Sequence, residues 1–208
     1  MDVVAHIGIT LDGVMQAPGR PDEDRRGEFE HGGWGLPYID PEQGRKVSQQ
    51  PQAETGGLLL GRRTYEDFFA VWPKRTDNPF SQVLDRRRKY VASRTLQEPL
   101  PWVNSVLLPG DAADAVSELR EQPGDDLVVL GSGELLRSLM RRGLVDRYVL
   151  SVHPLVLGSG RRLFDDAVPY ARLELVEAAT SPAGVVTATY RAAALSRAPL
   201  AAPGTPAV

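Results

Sequence analysis

The sequence predicts an α/β protein of three layers, α/β/α, built on a mixed sheet with helices on both faces. Two observations carry this. Short apolar runs alternate with stretches of helical periodicity through most of the chain, the pattern of parallel strands joined by crossover helices. The last two apolar runs, Leu173 to Ala178 and Val185 to Ala192, are separated by the turn Ser181-Pro182-Ala183-Gly184, which predicts an antiparallel hairpin at the end of the sheet. A chain of 208 residues, 42% hydrophobic and 25% charged, suffices for one well-buried domain, expected over residues 1–195. From Ser196 onward the chain is mostly Ala and Pro with little to bury, so residues 196–208 are expected to be a disordered tail.

Taken in order, Val3 to Thr10 is a β-branched, apolar central strand, and Asp12-Gly13 after it is a turn signature, since Asp bonds its own backbone and Gly accepts positive φ. Residues 16–35 form a long loop, of a length more often functional than idle in a compact domain. Trp34 and Tyr38 stand beside glycines at its end, where they either wall a pocket for a flat ring or pin the loop to the core. Asp40-Pro41 reads as an N-cap and first helical position, opening a helix to about Gln50. Leu58 to Leu60 is a strand that meets Gly61, and Tyr65, Phe68 and Phe69 share one face of the helix that follows. Asn78-Pro79 starts another helix, Tyr90 to Ala92 and Val106 to Leu108 are short strands, and Asp111 caps a helix whose Ala112, Ala115, Val116 and Leu119 face inward. Leu127 to Leu130 is a buried strand that runs through Gly131-Ser132-Gly133 into a helix striped by Leu135, Leu136, Leu139 and Met140. Val145 to His153 is a strand with Tyr148, Leu150 and Val152 on one face and Val149, Ser151 and His153 on the other. Pro154 to Phe164 is a loop.

Composition narrows the chemistry. The absence of cysteine excludes disulfides and thiolate chemistry, so any redox activity needs a bound cofactor. His6, His31 and His153 are scattered without ligand spacing, and no metal site is expected. A net charge of -3 offers no field for a polyanion, so nucleic acid is not an expected partner, and the basic run Arg86-Arg87-Arg88-Lys89 reads as a solvated helix end placed against the helix dipole. No apolar run approaches the length of a membrane span, and the chain enters a strand without a basic and apolar leader, so no membrane partner and a cytoplasmic location are expected.

Three strands end in phosphate-binding chemistry: Gly61-Arg62-Arg63-Thr64, Ser93-Arg94 and Gly131-Ser132-Gly133. Glycine lets a phosphate approach backbone N–H groups at a helix start, and arginine beside a helix N-terminus opposes the helix dipole, a poor choice for stability and a sensible one for an anion. Ligands of open α/β sheets sit outside the carboxyl ends of strands, where these three sites could converge. Two glycine turns with two arginine positions suit a pyrophosphate carrying an additional phosphate, favouring NADPH over NADH.

These residues, with Thr10-Leu11-Asp12-Gly13 and Pro154-Leu155-Val156-Leu157-Gly158-Ser159-Gly160 before Leu163-Phe164, resemble the dihydrofolate-reductase-like fold and, within it, the reductase domain of RibD-type riboflavin biosynthesis proteins and their stand-alone bacterial relatives. The resemblance covers most of the chain and implies an NADPH-dependent reductase passing hydride to a C=N or C=O carbon of a small heterocycle, pyrimidine- or pterin-like. It implies that Gly61, Arg62, Arg63, Thr64, Ser93 and Arg94 hold the adenosine phosphates, that Gly131, Ser132, Gly133, Glu134 and Leu135 cover the pyrophosphate, and that the first strand and the Asp12 loop flank the nicotinamide. For the proton that must accompany hydride, Asp12 and Asp40 are the candidate acids, each with a structural alternative as turn or cap. Trp34 and Ser151 are the candidate substrate contacts. Folate reductases carry Trp-x-x-Pro-x-Asp, whereas Trp34 to Asp40 is one residue longer and Gly44 stands where folate enzymes present an aromatic, a departure from a dihydrofolate site. A non-catalytic nucleotide-binding protein of the same fold is the alternative function. Relatives of the fold often dimerise, and the terminal hairpin offers an edge for a homodimer.

Overall fold

The computed structural model describes residues 1–39 and 57–193. The expected helix from Asp40 and the expected tail of residues 196–208 therefore lie outside the described residues. The elements follow the order β1 (Val3–Thr10), β2 (Gly57–Gly61), α1 (Arg62–Val71), α2 (Pro79–Arg86), β3 (Arg88–Ala92), β4 (Ser105–Leu107), α3 (Ala112–Arg120), β5 (Leu127–Leu130), α4 (Gly133–Arg141), β6 (Arg147–His153), β7 (Leu173–Thr180) and β8 (Val186–Ala192).

The described strands form one sheet in the order β4-β3-β2-β5-β1-β6-β8-β7. β1 to β6 run parallel, and β8 is antiparallel to both β6 and β7, so the final hairpin supplies the reversed strand of a mixed sheet. Pairing of β5 between β1 and β2 brings the carboxyl ends of β1, β2, β3 and β5 to one rim.

Alternation along the strands divides the core into two layers. On one face Val3, Ala5, Ile7 and Ile9 of β1, with Leu59, Leu127 and Val129, pack on Val116 and Leu119 of α3 and Leu135, Leu136 and Leu139 of α4. On the other, Leu58, Leu60 and Val91 pack on Tyr65 of α1, Leu84 of α2 and Trp102. The helices thus cover both faces, as the sequence predicts. The loop after β1 has a small core of its own, in which Val14, Ala17, Phe29 and Trp34 are buried together.

The basic run after α2 is not a solvated helix end throughout. Lys89 belongs to β3 and is fully buried, and its ammonium donates to the carbonyls of Leu84 (2.5 Å) and Arg87 (2.8 Å) while lying 4.5 Å from the centroid of the Trp102 ring. The expected attraction to the carboxyl end of the helix holds, with Lys89 meeting the last carbonyls from inside. Burial pushes its pKa down to about 8.

Candidate active site

The two strand–glycine–helix junctions are stitched into one unit. Gly131 and Ser132 both adopt left-handed backbone conformations, with φ of 55° and 51°, so β5 turns sharply into α4. Such a conformation is disfavoured for a side-chain-bearing residue such as Ser132, and local hydrogen bonds sustain it. The Ser132 hydroxyl accepts from the Gly61 N–H at 3.0 Å and donates to the Leu130 carbonyl at 2.9 Å. The Ser132 N–H in turn donates to the Thr64 hydroxyl at 3.2 Å.

Neither helix that starts at this junction has a side-chain cap. Gly61 and Ser132 occupy the N-cap positions of α1 and α4 without capping hydrogen bonds, whereas α2 and α3 are capped by the side chains of Asn78 and Asp111. Among the described residues, the first-turn N–H groups of α1 and α4 are therefore left for solvent or a ligand, at the positive ends of both helix dipoles.

A cleft of about 1090 Å³ opens over this rim. Ligand sites commonly run to roughly 300–1,000 Å³, so it has room for a dinucleotide. Gly61, Arg62, Arg63, Thr64, Ser93, Arg94, Gly131, Ser132, Gly133, Glu134 and Leu135 all line it. The three strand ends singled out from sequence thus come together in one space. Within it, the Ser93 hydroxyl accepts from the N–H groups of Thr95 and Leu96 and shapes the turn that presents Arg94. The Glu134 carboxylate accepts from Arg137 and Arg161, both at 2.8 Å, which turns its charge to holding the 155–162 loop and leaves its backbone as the group suited to an anion. Arg20, from the loop after β1, crosses to α1 and donates to the Asp67 carboxylate through its two terminal guanidinium nitrogens at 3.2 and 2.5 Å; both residues line the cleft.

A second cavity, of about 320 Å³, is lined by His6, Ile7 and Gly8 of β1, Gly35, Tyr38 and Ile39, Val149, Ser151 and His153 of β6, Ser181 and Val185, and Thr187 of β8. Ile7 and Gly8 line the cleft as well, so the two spaces share the middle of β1. The Ser151 and Thr187 hydroxyls lie 3.3 Å apart in this cavity.

The other sequence-predicted residues fall differently. Asp12 lines neither space. Its carboxylate accepts from the Thr10 hydroxyl (2.6 Å) and from the N–H groups of Leu157 (3.2 Å) and Gly158 (2.9 Å), tying the β1 loop to the 155–162 loop. Chiefly through the Thr10 hydrogen bond, supported by those two N–H groups against the opposing effect of desolvation, its carboxyl is held down to about 2. Such a group is ionised at neutral pH, and its contacts make it a clamp between the two loops. Trp34 is buried and lines neither space; its indole N–H donates to the Gln16 carbonyl at 2.7 Å, so of the two roles open to it from sequence it takes the pin. Asp40 lies outside the described residues.

Sequence reasoning passed over His153. Its ring meets Trp34 and Tyr38 edge-on, with centroids 5.0 and 5.4 Å away. The signal was the alternation that set it on the face of Ser151, although nothing local announced that this face looks onto Gly8. Among the described residues there is no cluster of metal-ligating side chains, and no described helix is long and apolar enough to cross a membrane.

Comparison with known proteins adds four findings. The family described as RibD C-terminal domain matches residues 2–187. The uncharacterized protein YyaP of Bacillus subtilis is 29% identical over 195 residues, covering 90% of this chain and 93% of its own. Among solved structures, a putative riboflavin biosynthesis protein from Shewanella sp. PV-4 superposes with a TM-score of 0.66 at 20% identity, over 93% of this chain and 100% of its own. Dihydrofolate reductase from Enterococcus faecalis, solved with NADP(H), superposes with a TM-score of 0.57 at 14% identity, over 92% and 96% of the two chains. At these identities the structural likeness identifies the fold, which is dihydrofolate-reductase-like.

Proposed function

The chain belongs to the RibD C-terminal domain family, and from that premise we propose that it is an NADPH-dependent reductase of a small pyrimidine- or pterin-like heterocycle. The observation that supports this most directly is that Ile7 and Gly8 line both the large cleft and the second cavity. A hydride donor and acceptor must approach to contact distance while being bound by different walls, and β1 provides one shared surface for two adjoining spaces.

In this proposal the uncapped starts of α1 and α4 take the phosphates of the dinucleotide, with Arg62, Arg63 and Arg94 supplying positive charge for an additional phosphate. Gly131 and Gly133 keep side chains away from the approach to the α4 N–H groups. A nicotinamide held there would supply hydride chemistry, and the residues lining the cleft would orient it and exclude water. Asp12 acts through the 155–162 loop, which it fastens against the loop after β1. Ser151, with Thr187, offers hydroxyls to a ring in the second cavity.

The test is thermal protection by NADPH and by NADH, followed by NADPH oxidation in the presence of pterins, pyrimidines and quinones. Stronger protection by NADPH and turnover of at least one acceptor are expected. Equal protection by the two nucleotides with no turnover overturns the proposal.

A further inference from the structure

We propose that His153 is the proton donor of this reaction, delivering a proton from Nε2 to the substrate atom beside the carbon that receives hydride; the proposal rests on the reductase function above. The described residues that line the second cavity include no carboxylate, and their titratable side chains are His6, Tyr38 and His153. Reduction of a C=N bond leaves a nitrogen that needs a proton, and an imidazole, unlike a phenol, exchanges its proton near neutral pH.

The surroundings of His153 fix which nitrogen does this. Nδ1 lies 3.0 Å from the Ser151 carbonyl oxygen and 3.3 Å from that of Ile9. Carbonyl oxygens only accept, so Nδ1 carries a hydrogen, and Nε2, which has no hydrogen-bond partner among the described residues, is the site that gains and loses a proton. The edge contacts with Trp34 and Tyr38 hold the ring's orientation. On its other side lies Gly8, where a Cβ would come 3.3 Å from His153 Cε1. The glycine admits the imidazole beside the part of β1 shared by cleft and cavity. His6 is the poorer donor: desolvation, and then the charges of Arg87 and Arg147, lower its pKa and favour its neutral form.

The step balances. Hydride from a reduced nicotinamide forms the new C–H bond, the C=N π pair moves to nitrogen and takes the proton from Nε2, the nicotinamide is oxidised and the substrate reduced. The neutral imidazole keeps its Nδ1 hydrogen and is reprotonated at Nε2 from water.

The experiment uses the full chain, NADPH, and two acceptors: 7,8-dihydropterin, whose C=N reduction needs a proton on nitrogen, and 1,4-benzoquinone, whose reduced form leaves as a stabilised phenolate. His153→Gln is expected to slow dihydropterin reduction by about 10²–10⁴-fold and to leave quinone reduction within about threefold. Equal effects on both acceptors, no effect on either, or turnover of quinone alone by the wild type each overturn the proposal. Wild-type protein that oxidises NADPH with neither acceptor overturns the proton donor, and where NADPH and NADH also protect equally it overturns the reductase function as well. Nitrogen-15 NMR of imidazole-labelled wild-type protein without ligand gives a reading independent of activity and of the variant's folding. A hydrogen on Nδ1 and none on Nε2 in the neutral ring is expected; the opposite tautomer overturns the proposal even where NADPH binds.

Discussion

The Ser132 hydroxyl receives the Gly61 N–H at 3.0 Å and passes its own proton to the Leu130 carbonyl at 2.9 Å, joining the ends of two neighbouring strands through one left-handed residue. Ser132→Ala removes both bonds and keeps the unfavourable backbone, whereas Ser132→Gly removes the bonds and relieves the backbone. Urea unfolding is expected to place the alanine variant about 1–3 kcal/mol below wild type and the glycine variant about 1 kcal/mol above the alanine one. Equal stabilities for the two variants would show that the hydroxyl, and not the conformation, is all that matters there.

Arg62 and Arg94 stand at different strand ends of one cleft. Arg62 is held by Glu66 at 3.1 Å, an exposed pair that is readily exchanged for a phosphate. Arg62→Ala and Arg94→Ala are each expected to weaken NADPH binding about tenfold, the loss of roughly 1.4 kcal/mol, with NADH little changed. Calorimetric titration with both nucleotides checks this, and parallel losses for the two would remove the arginines from recognition of the extra phosphate.

Asp12 predicts an acid-linked clamp. Its folded pKa is depressed from 3.8 to about 2, so its contribution is complete above pH 3.8 and is lost as pH falls through 3.8 toward 2. Asp12→Asn is expected to be less stable than wild type by about 1–2 kcal/mol at pH 7, with the gap narrowing below pH 4. Chemical denaturation of both proteins from pH 7 to pH 2.5 measures the gap; a constant difference would mean that the carboxylate charge is not what holds the loop.

Gly160 has a φ of +113°, and a Cβ there would come within 2.7 Å of both Phe29 and Val14. Gly160→Ala is expected to cost about 2–4 kcal/mol, combining overpacking with backbone strain. Because Trp34 shares the cluster with Phe29 and Val14, its fluorescence should shift along with the melting temperature. An unchanged Trp34 signal in a folded variant would mean that the 155–164 loop does not brace the loop after β1.

Local chemistry made much of the fold legible. The helix starts at Asn78 and Asp111 are written in residues that bond their own first turn, and the structure shows those bonds at 2.9 Å to Phe80 and Ala113. The junctions at Gly61 and Gly131 are equally local, a change of hydrophobic period across glycine. Lys89 was misread because the sequence around it carries three other basic residues, while its burial depends on strand β3 turning that side chain under α2. For Asp12 a turn was legible, but its partners Leu157 and Gly158 lie about 145 residues away, and no pattern near Asp12 points to them.

The sequence by itself determined which of the described strands and helices form and which strand ends carry groups suited to phosphate, because propensity, capping and periodicity act within a few residues. The tertiary structure alone decided that β5 lies between β1 and β2, so that Ser132 meets Gly61, and that β6 lies beside β1, so that His153 looks onto Gly8. Strand order is set by nonlocal burial, in which each apolar face takes the neighbours that cover it best, and whether a polar side chain reaches a cleft, a clamp or the core depends on those neighbours.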